Sequence, residues 1–289
     1  MTSIKRILFP VDFSVRCDAT APHVAALASH FGAEVILFHA MSPMTYLFGS
    51  GYDMSVLVKL RQDFIEETRQ KLAGYLLHDF RGLQVVRESA EGEAAAEIVK
   101  YAHEHGIDLI AMPTHGFGAF RRFLLGSVTA KVLHDAHCPV WTSAHMEEHS
   151  RSEIVAIGSV ACAADLGPQT HATLHFAEGL AKAFEARLTL IHVSPIAMTR
   201  PAIYYDTHVF ASLTKEARAE VDKLLAAESV EADVFIEAGD PAHVIRGYTA
   251  KHRTDILVIG RGSAAEGSGR LRTHAYSIIR NSPCPVISV

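Results

Sequence analysis

DLIAMPTHGFGAFRRFLLGSVTAKVL, residues 108–133, contains one complete structural unit. Its head, Asp108-Leu-Ile-Ala-Met112, is an apolar run of strand length, and its tail, Val128-Thr-Ala-Lys-Val-Leu133, repeats apolar residues at helical spacing. Between them lies PTHGFGAFRRFLLGS, residues 113–127, with Gly116, Gly118 and Gly126, His115, and the pair Arg121 and Arg122. A buried strand that passes through a glycine-rich loop into a helix is half of a β-α-β crossover.

The alternation continues toward both ends. Strand-like runs fall at Arg6 to Val11, Glu34 to Ala40, Leu83 to Glu88, Leu109 to Met112 and Val140 to Ser143. Helical spacing occupies about Cys17 to Phe31, Ser55 to Leu77, Ala94 to His105 and Ser127 to His134. Strands alternating with helices imply a parallel sheet covered on both faces, with right-handed crossovers. Runs as apolar as Val35-Ile-Leu-Phe38 suit strands buried on both sides. Ligands of such sheets bind outside the carboxyl ends of the strands, where the loop 113–127 lies.

The unit then recurs. At an offset of 147, Asp108-Leu-Ile-Ala-Met112 falls on Asp255-Ile-Leu-Val-Ile259, Gly92 on Gly239, and Arg6-Ile-Leu-Phe9 on Glu153-Ile-Val-Ala156. At an offset of 153, Val35-Ile-Leu-Phe-His39 falls on Leu188-Thr-Leu-Ile-His192, and at 146 Cys138-Pro-Val140 falls on Cys284-Pro-Val286. The six-residue drift reads as an insertion before the first helix of the second copy that is later cancelled. Two domains are expected, residues 1–145 and 151–289, joined by the polar stretch from Ala144 to Arg151.

The 289 residues, 49% hydrophobic and 20% charged, suffice for two domains of roughly 145 residues. A net charge of -5 argues against a nucleic-acid partner or a polybasic membrane surface. The N-terminus enters a strand pattern without a signal-peptide core, and no apolar run approaches the roughly 18 residues that span a bilayer, so a cytoplasmic location is expected. Cys17, Cys138, Cys162 and Cys284 contain no C-x-x-C pair and read as reduced, partly buried thiols.

In the loop, glycines let backbone N–H groups converge on a ligand, and Gly126-Ser127 opens a helix whose dipole and free N–H groups favour an anion. Ser127 can cap that helix or donate its hydroxyl. Arg121 and Arg122 add positive charge, so the combination suits a phosphate. The competing reading is a glycine turn with solvated arginines. Neither copy contains G-K-[ST], which excludes a Walker A loop.

Asp108 to Gly116, the nine residues that follow, and Gly126-Ser127 with Cys138-Pro-Val140 resemble the signature of the universal stress protein family, a G-x-x-G-x9-G-[ST] nucleotide loop. Lys5 to Ser14 is similar to that family's first strand and Pro-x-Asp-x-Ser turn, and Val35 to Ala40 to its second strand. The resemblance implies two tandem five-stranded, Rossmann-like open twisted α/β/α domains packed as a pseudo-dimer, their final strands paired. It implies a regulatory stress-response protein that binds an adenine nucleotide in the first copy: ATP, with Mg2+ beside it, or AMP or ADP. Pro10 belongs to the matching turn; Asp12 and the backbone of Ala40 would hold the adenosine; Met112 and His115 would line the site; Gly116, Gly126, Ser127 and Val128 would hold the phosphates. Pro113 stands where the family has glycine, without an N–H and with φ fixed near -65°. Further self-association through domain faces or final strands is also implied.

The second copy departs further. Its Pro-x-Asp turn reads as Ile157-Gly158-Ser159, without the carboxylate, and its Gly-Ser helix start as Arg272-Thr273. Gly260-Arg-Gly262-Ser-Ala-Ala265 fits G-x-G-x-x-[GA] but lacks the acidic residue about 20 positions on, and the copy reads as a degenerate nucleotide motif. No catalytic triad or carboxylate pair appears, so no enzyme is expected beyond slow ATP hydrolysis. The alternative is an interaction protein of the same fold without nucleotide. Of the 18 histidines, His171 with His175, His134 with His137, and His145 with His149 have pair spacings, but no four-ligand metal set emerges. His39 and His192, matched on the second strands, read as hydrogen-bonded core histidines.

Overall fold

The computed structural model describes residues 3–43, 53–114, 125–143, 157–195, 207–261 and 273–289, with side chains at 195, 207–213 and 273 left aside. His115, Gly116, Arg121, Arg122, the His145 and His149 pair and the Ala144 to Arg151 connection lie outside the described residues.

The first copy runs β1 (Arg6–Pro10), α1 (Val15–Phe31), β2 (Glu34–Met41), α2 (Met54–Gly74), β3 (Val85–Glu91), α3 (Ala94–Glu104), β4 (Leu109–Pro113), α4 (Ser127–Asp135) and β5 (Val140–Ser143). The second repeats it as β6 (Ser159–Ala164), α5 (Thr170–Ala183), β7 (Arg187–Pro195), α6 (Thr207–Glu228), β8 (Asp233–Gly239), α7 (Pro241–His252), β9 (Ile256–Ile259), α8 (Thr273–Asn281) and β10 (Val286–Ser288). Every strand and helix expected in the first copy is present, with ends displaced by a few residues.

The strands form one ten-stranded sheet in the order β3-β2-β1-β4-β5-β10-β9-β6-β7-β8. All neighbours pair parallel except β5 and β10, which pair antiparallel and fuse the two halves. Both faces are buried. Ile7, Phe9, Val35 and Leu37 face a layer that includes α1 and α5, while Leu8, Ile36 and Phe38 face α3, α4, α7 and α8. That two-sided burial is why these strands are apolar at every position rather than at alternate ones. Each layer is continuous across the two copies, so the halves share their cores.

Strand pairing sets the alignment of the copies. Ile7 pairs with Val35 and Leu109, whereas Val160 pairs with Leu188 and Ile256. β6 therefore follows β1 at an offset of 153, the offset already seen between β2 and β7, and the alignment of Arg6 to Phe9 with Glu153 to Ala156 is corrected. Side chains repeat the same register. Asp108 Oδ2 accepts from the N–H groups of Lys5 and Arg6 at 2.7 and 2.9 Å, and Asp255 Oδ2 accepts from Gly158 and Ser159, each at 2.9 Å. β8 and β9 follow their counterparts at 147, so the six residues are lost in the second copy between β7 and β8. There is no insertion before α5.

All four thiols are free. Burial, the largest cause in each case, pushes Cys17 and Cys162 up to about 12 and Cys138 and Cys284 up to about 11. Because the folded values lie above the unfolded one, the stability they contribute is complete below the ordinary thiol range and is lost as pH rises toward 11 and 12. At pH 8 iodoacetamide is expected to leave all four unlabelled in the native protein over a period that alkylates every one in urea; mass spectrometry reads the difference. Rapid native labelling of any of them would contradict the buried, protonated assignment.

Candidate ligand sites at the carboxyl edge

In the first copy the carboxyl edge is built around two turns. After β1 the chain reverses at Phe13, in the left-handed region at φ 62°, and Asp12 Oδ1 accepts from Ser14 N–H at 3.0 Å and from Cys17 Sγ at 3.1 Å. The carboxylate is thus anchored through one oxygen beside the start of α1. His39 Nδ1 meets Val11 O at 2.7 Å; a carbonyl only accepts, so the ring proton is on Nδ1. Pro10 ends β1 and Ala40 lies one residue before the end of β2, in adjacent paired strands.

The second turn leaves β4. Met112 and Pro113 are buried at its end, and the carbonyl of Pro113 accepts from Thr129 Oγ1 on α4 at 3.0 Å. Gly126 N–H donates to Thr114 O at 2.8 Å, which sets the start of α4 against the end of β4. Gly126, not Ser127, is the N-cap; Ser127 and Val128 are the first helical residues, and Ser127 is exposed. Ser14, Asp53 and Glu93 cap α1, α2 and α3 with side-chain oxygens, whereas α4 has no side-chain cap. Among the described residues no side chain takes the first N–H groups of α4. Pro10 has a physical consequence that spacing did not disclose: β1 and β4 pair at two positions, β6 and β9 at four, and a proline cannot donate to a ladder.

The second copy is not what its sequence alone indicated. Its turn after the first strand is Ala164-Asp165-Leu166-Gly167, not Ile157-Gly158-Ser159, and the carboxylate is retained. Asp165 Oδ1 accepts from Gly167 N–H at 2.9 Å and from Thr170 Oγ1 at 3.4 Å, and Leu166 has φ 59°. His192 Nδ1 meets Ala164 O at 2.9 Å, as His39 meets Val11 O. Equivalent to Pro10, Asp12, Ala40, Met112, Pro113 and Val128 are Ala163, Asp165, Val193, Ile259, Gly260 and His274. These six all line a cavity of about 280 Å³. It opens where the strand order reverses between β6 and β9, with α5 on one side and α7 and α8 on the other.

The histidine pairs have ordinary partners. His171 Nδ1 and His175 Nε2 each take one oxygen of Glu228, at 2.7 and 2.6 Å, and this double contact holds the Glu228 carboxyl below the usual range. His134 Nδ1 contacts Asp135 at 2.5 Å. Among the described residues no three His, Cys, Asp or Glu side chains form a metal-binding group. Nor is any helix there long and apolar enough to cross a membrane.

Sheet and turns define a tandem open α/β protein, with matching turns at the carboxyl edge of each half and a cavity at that edge of the second. Residues 3–143 and 157–289 both match the model of the universal stress protein family, and the chain belongs to that family. Two universal stress proteins of Methanocaldococcus jannaschii are each 33% identical to it, over 138 and 150 residues; each match spans 47% of this chain and 79% or 92% of the relative. A crystal structure of a universal stress protein from Archaeoglobus fulgidus has the same fold across both copies, with a TM-score of 0.68 at 22% identity, covering 98% of this chain and 95% of that one.

Proposed function

We propose that this chain is a regulatory protein of the stress response that binds one adenine nucleotide, ATP with Mg2+, in its first copy. The observation that carries the reading is the N-terminus of α4, uncapped by any described side chain, at the end of β4 and beside the strand that leads to Asp12. The N–H groups of Ser127 and Val128 suit phosphate oxygens, with Gly126 leaving room for their approach while its own N–H stays on Thr114 O. The second oxygen of Asp12 suits a ribose hydroxyl donor, while the Ala40 backbone and Met112 border the base. His115 and Gly116 are assigned to the same loop by the family resemblance. Pro113 keeps its carbonyl on Thr129 and offers no N–H, so the phosphates rest on the helix start rather than on the first turn of the loop.

Binding without turnover fits this site. Lys131, the cation described on α4, is paired with Glu93 at 2.9 Å, and fast phosphoryl transfer needs a metal-and-charge clamp on the leaving oxygens. ATP therefore acts by occupancy: it biases a conformation or assembly state for which its affinity differs. The setting we assign is the cytoplasm. β5 and β10 are used on each other, so any further association would use the outer faces or the edges β3 and β8.

Calorimetric titration of nucleotide-stripped protein with Mg-ATP tests the proposal. Asp12→Asn keeps an oxygen for Ser14 and loses the charge; a weakening of about 10- to 100-fold is expected, in line with about 1.5–3 kcal/mol for a hydrogen bond to a charged group. No heat at millimolar ATP, or equal affinity in the variant, would overturn the assignment.

A further inference from the structure

The turn aspartates of the two copies are held alike, each by a side chain that follows it into the next helix. Asp12 Oδ1 accepts from Ser14 N–H at 3.0 Å and from Cys17 Sγ at 3.1 Å. Asp165 Oδ1 accepts from Gly167 N–H at 2.9 Å and from Thr170 Oγ1 at 3.4 Å. At the offset of 153 that aligns β1 with β6, residues 12, 14 and 17 fall on 165, 167 and 170. Each acid therefore receives a backbone donor two residues on and a side-chain donor five residues on. The side chain is a thiol in one copy and a hydroxyl in the other, so what recurs is the donor and not the residue type.

The second donor adds an orientation that the first cannot give. A backbone N–H fixes where one carboxylate oxygen lies, but the terminal torsion of an aspartate is broad, and the group can still swing about that contact. A donor arriving from the helix removes this freedom and sets where the other oxygen points. Cys17 is 1% exposed and Thr170 is 4% exposed, so packing holds each donor in place. The Cys17 thiol has one proton and two acceptors near it, Asp12 Oδ1 at 3.1 Å and Pro10 O at 4.0 Å; the nearer, charged oxygen takes it. Burial first, and then the charge of Asp12, push this thiol up to about 12, which keeps the proton on sulfur at neutral pH.

We infer that Cys17 is a positioning residue of the first copy's ligand site: its S–H orients the Asp12 carboxylate so that the second oxygen meets a ribose hydroxyl. An acceptor already set in direction loses less freedom when the ligand arrives, and affinity rises accordingly. The ribose as partner of that oxygen rests on the nucleotide reading of this site; the orientation itself does not.

Infrared absorption of the ligand-free protein reads the hydrogen bond directly. The S–H stretching band that disappears in Cys17→Ser belongs to Cys17, and in Asp12→Ala it is expected to move to higher frequency because its acceptor is gone. A band at the same frequency in wild type and Asp12→Ala would overturn the inference whatever the nucleotide does. Calorimetry with Mg-ATP and with Mg-2′,3′-dideoxy-ATP reads the consequence. Cys17→Ala is expected to weaken ATP by about 3- to 10-fold, the range of one net hydrogen bond, and to leave the dideoxy analogue, which offers Asp12 no ribose hydroxyl, unchanged. Cys17→Ser keeps a donor and should recover most of the loss. A purely structural role would weaken both nucleotides alike, so equal loss for the two, or no recovery in Cys17→Ser, would also overturn the inference. Loss of ATP in Asp12→Asn with none in Cys17→Ala would remove the positioning role alone, whereas absence of ATP binding in the wild type would remove the nucleotide assignment and this role together.

Discussion

Replacing Trp141 with alanine is expected to lower the unfolding free energy by about 3–5 kcal/mol, the usual cost of removing a buried aromatic side chain. Trp141 lies in β5, is 1% exposed, and is paired with Ile287 across the antiparallel junction of the two copies. Its indole belongs to the apolar layer shared by α1 and α5, and the His23 ring stacks near it with centroids 6.1 Å apart. The cavity left by alanine would open where the copies are joined, so both halves should lose stability in one transition. It is the sole tryptophan, and urea unfolding must therefore be followed by circular dichroism. Trp141→Phe should recover more than half of the loss. A cost below about 1 kcal/mol, or separate transitions with the second copy unaffected, would show that the junction does not couple the cores.

Arg261→Met is expected to cost about 1.5–3 kcal/mol, the range for losing hydrogen bonds to a charged group. Arg261 follows β9 in the second copy, yet its guanidinium donates to Cys138 O at 2.8 Å and more weakly to Leu133 O at 3.5 Å in the first. Those carbonyls lie at and just beyond the last turn of α4, where a cation also complements the helix dipole. Burial disfavours the charged form of Arg261, so the side chain is retained there only because the carbonyls repay its desolvation. Methionine fills much of the space and donates nothing, leaving Cys138 O without this donor. Urea midpoints of wild type, Arg261→Met and Arg261→Lys give the measurement; lysine, able to reach one carbonyl, should fall between. Equal midpoints would mean that the contact contributes nothing.

Much of this was legible in the chain itself. Runs such as Val35 to Phe38 are apolar at every position because both faces of the sheet are covered, and that signal survives without any partner being known. Asp108 and Asp255 fall on each other in the repeat, but only the structure shows that each accepts from the N–H groups at the start of the neighbouring strand. His39 and His192 read from the sequence as hydrogen-bonded core residues, and each holds the carbonyl two residues before the left-handed residue of the turn, Phe13 or Leu166. Gly126-Ser127 was placed correctly at a helix start; that the cap is Gly126 depended on backbone angles, which residue types do not specify.

The second copy was misread at one place. Glu153-Ile-Val-Ala156 looks more like Arg6-Ile-Leu-Phe9 than Ser159-Val-Ala-Cys162 does, because β6 is built from small residues. Likeness of side chains chose the wrong register, and with it Asp165 was taken out of its turn. Sequence by itself determined the alternation of strands and helices, the duplication and the family, all of which follow from local patterning. Tertiary structure alone decided the register of β6, the fusion of the sheets through β5 and β10, and the cavity behind Asp165 and His192. A strand takes its register from hydrogen bonds to both neighbours at once, here β7 and β9, and those partners are dozens of residues away in the chain.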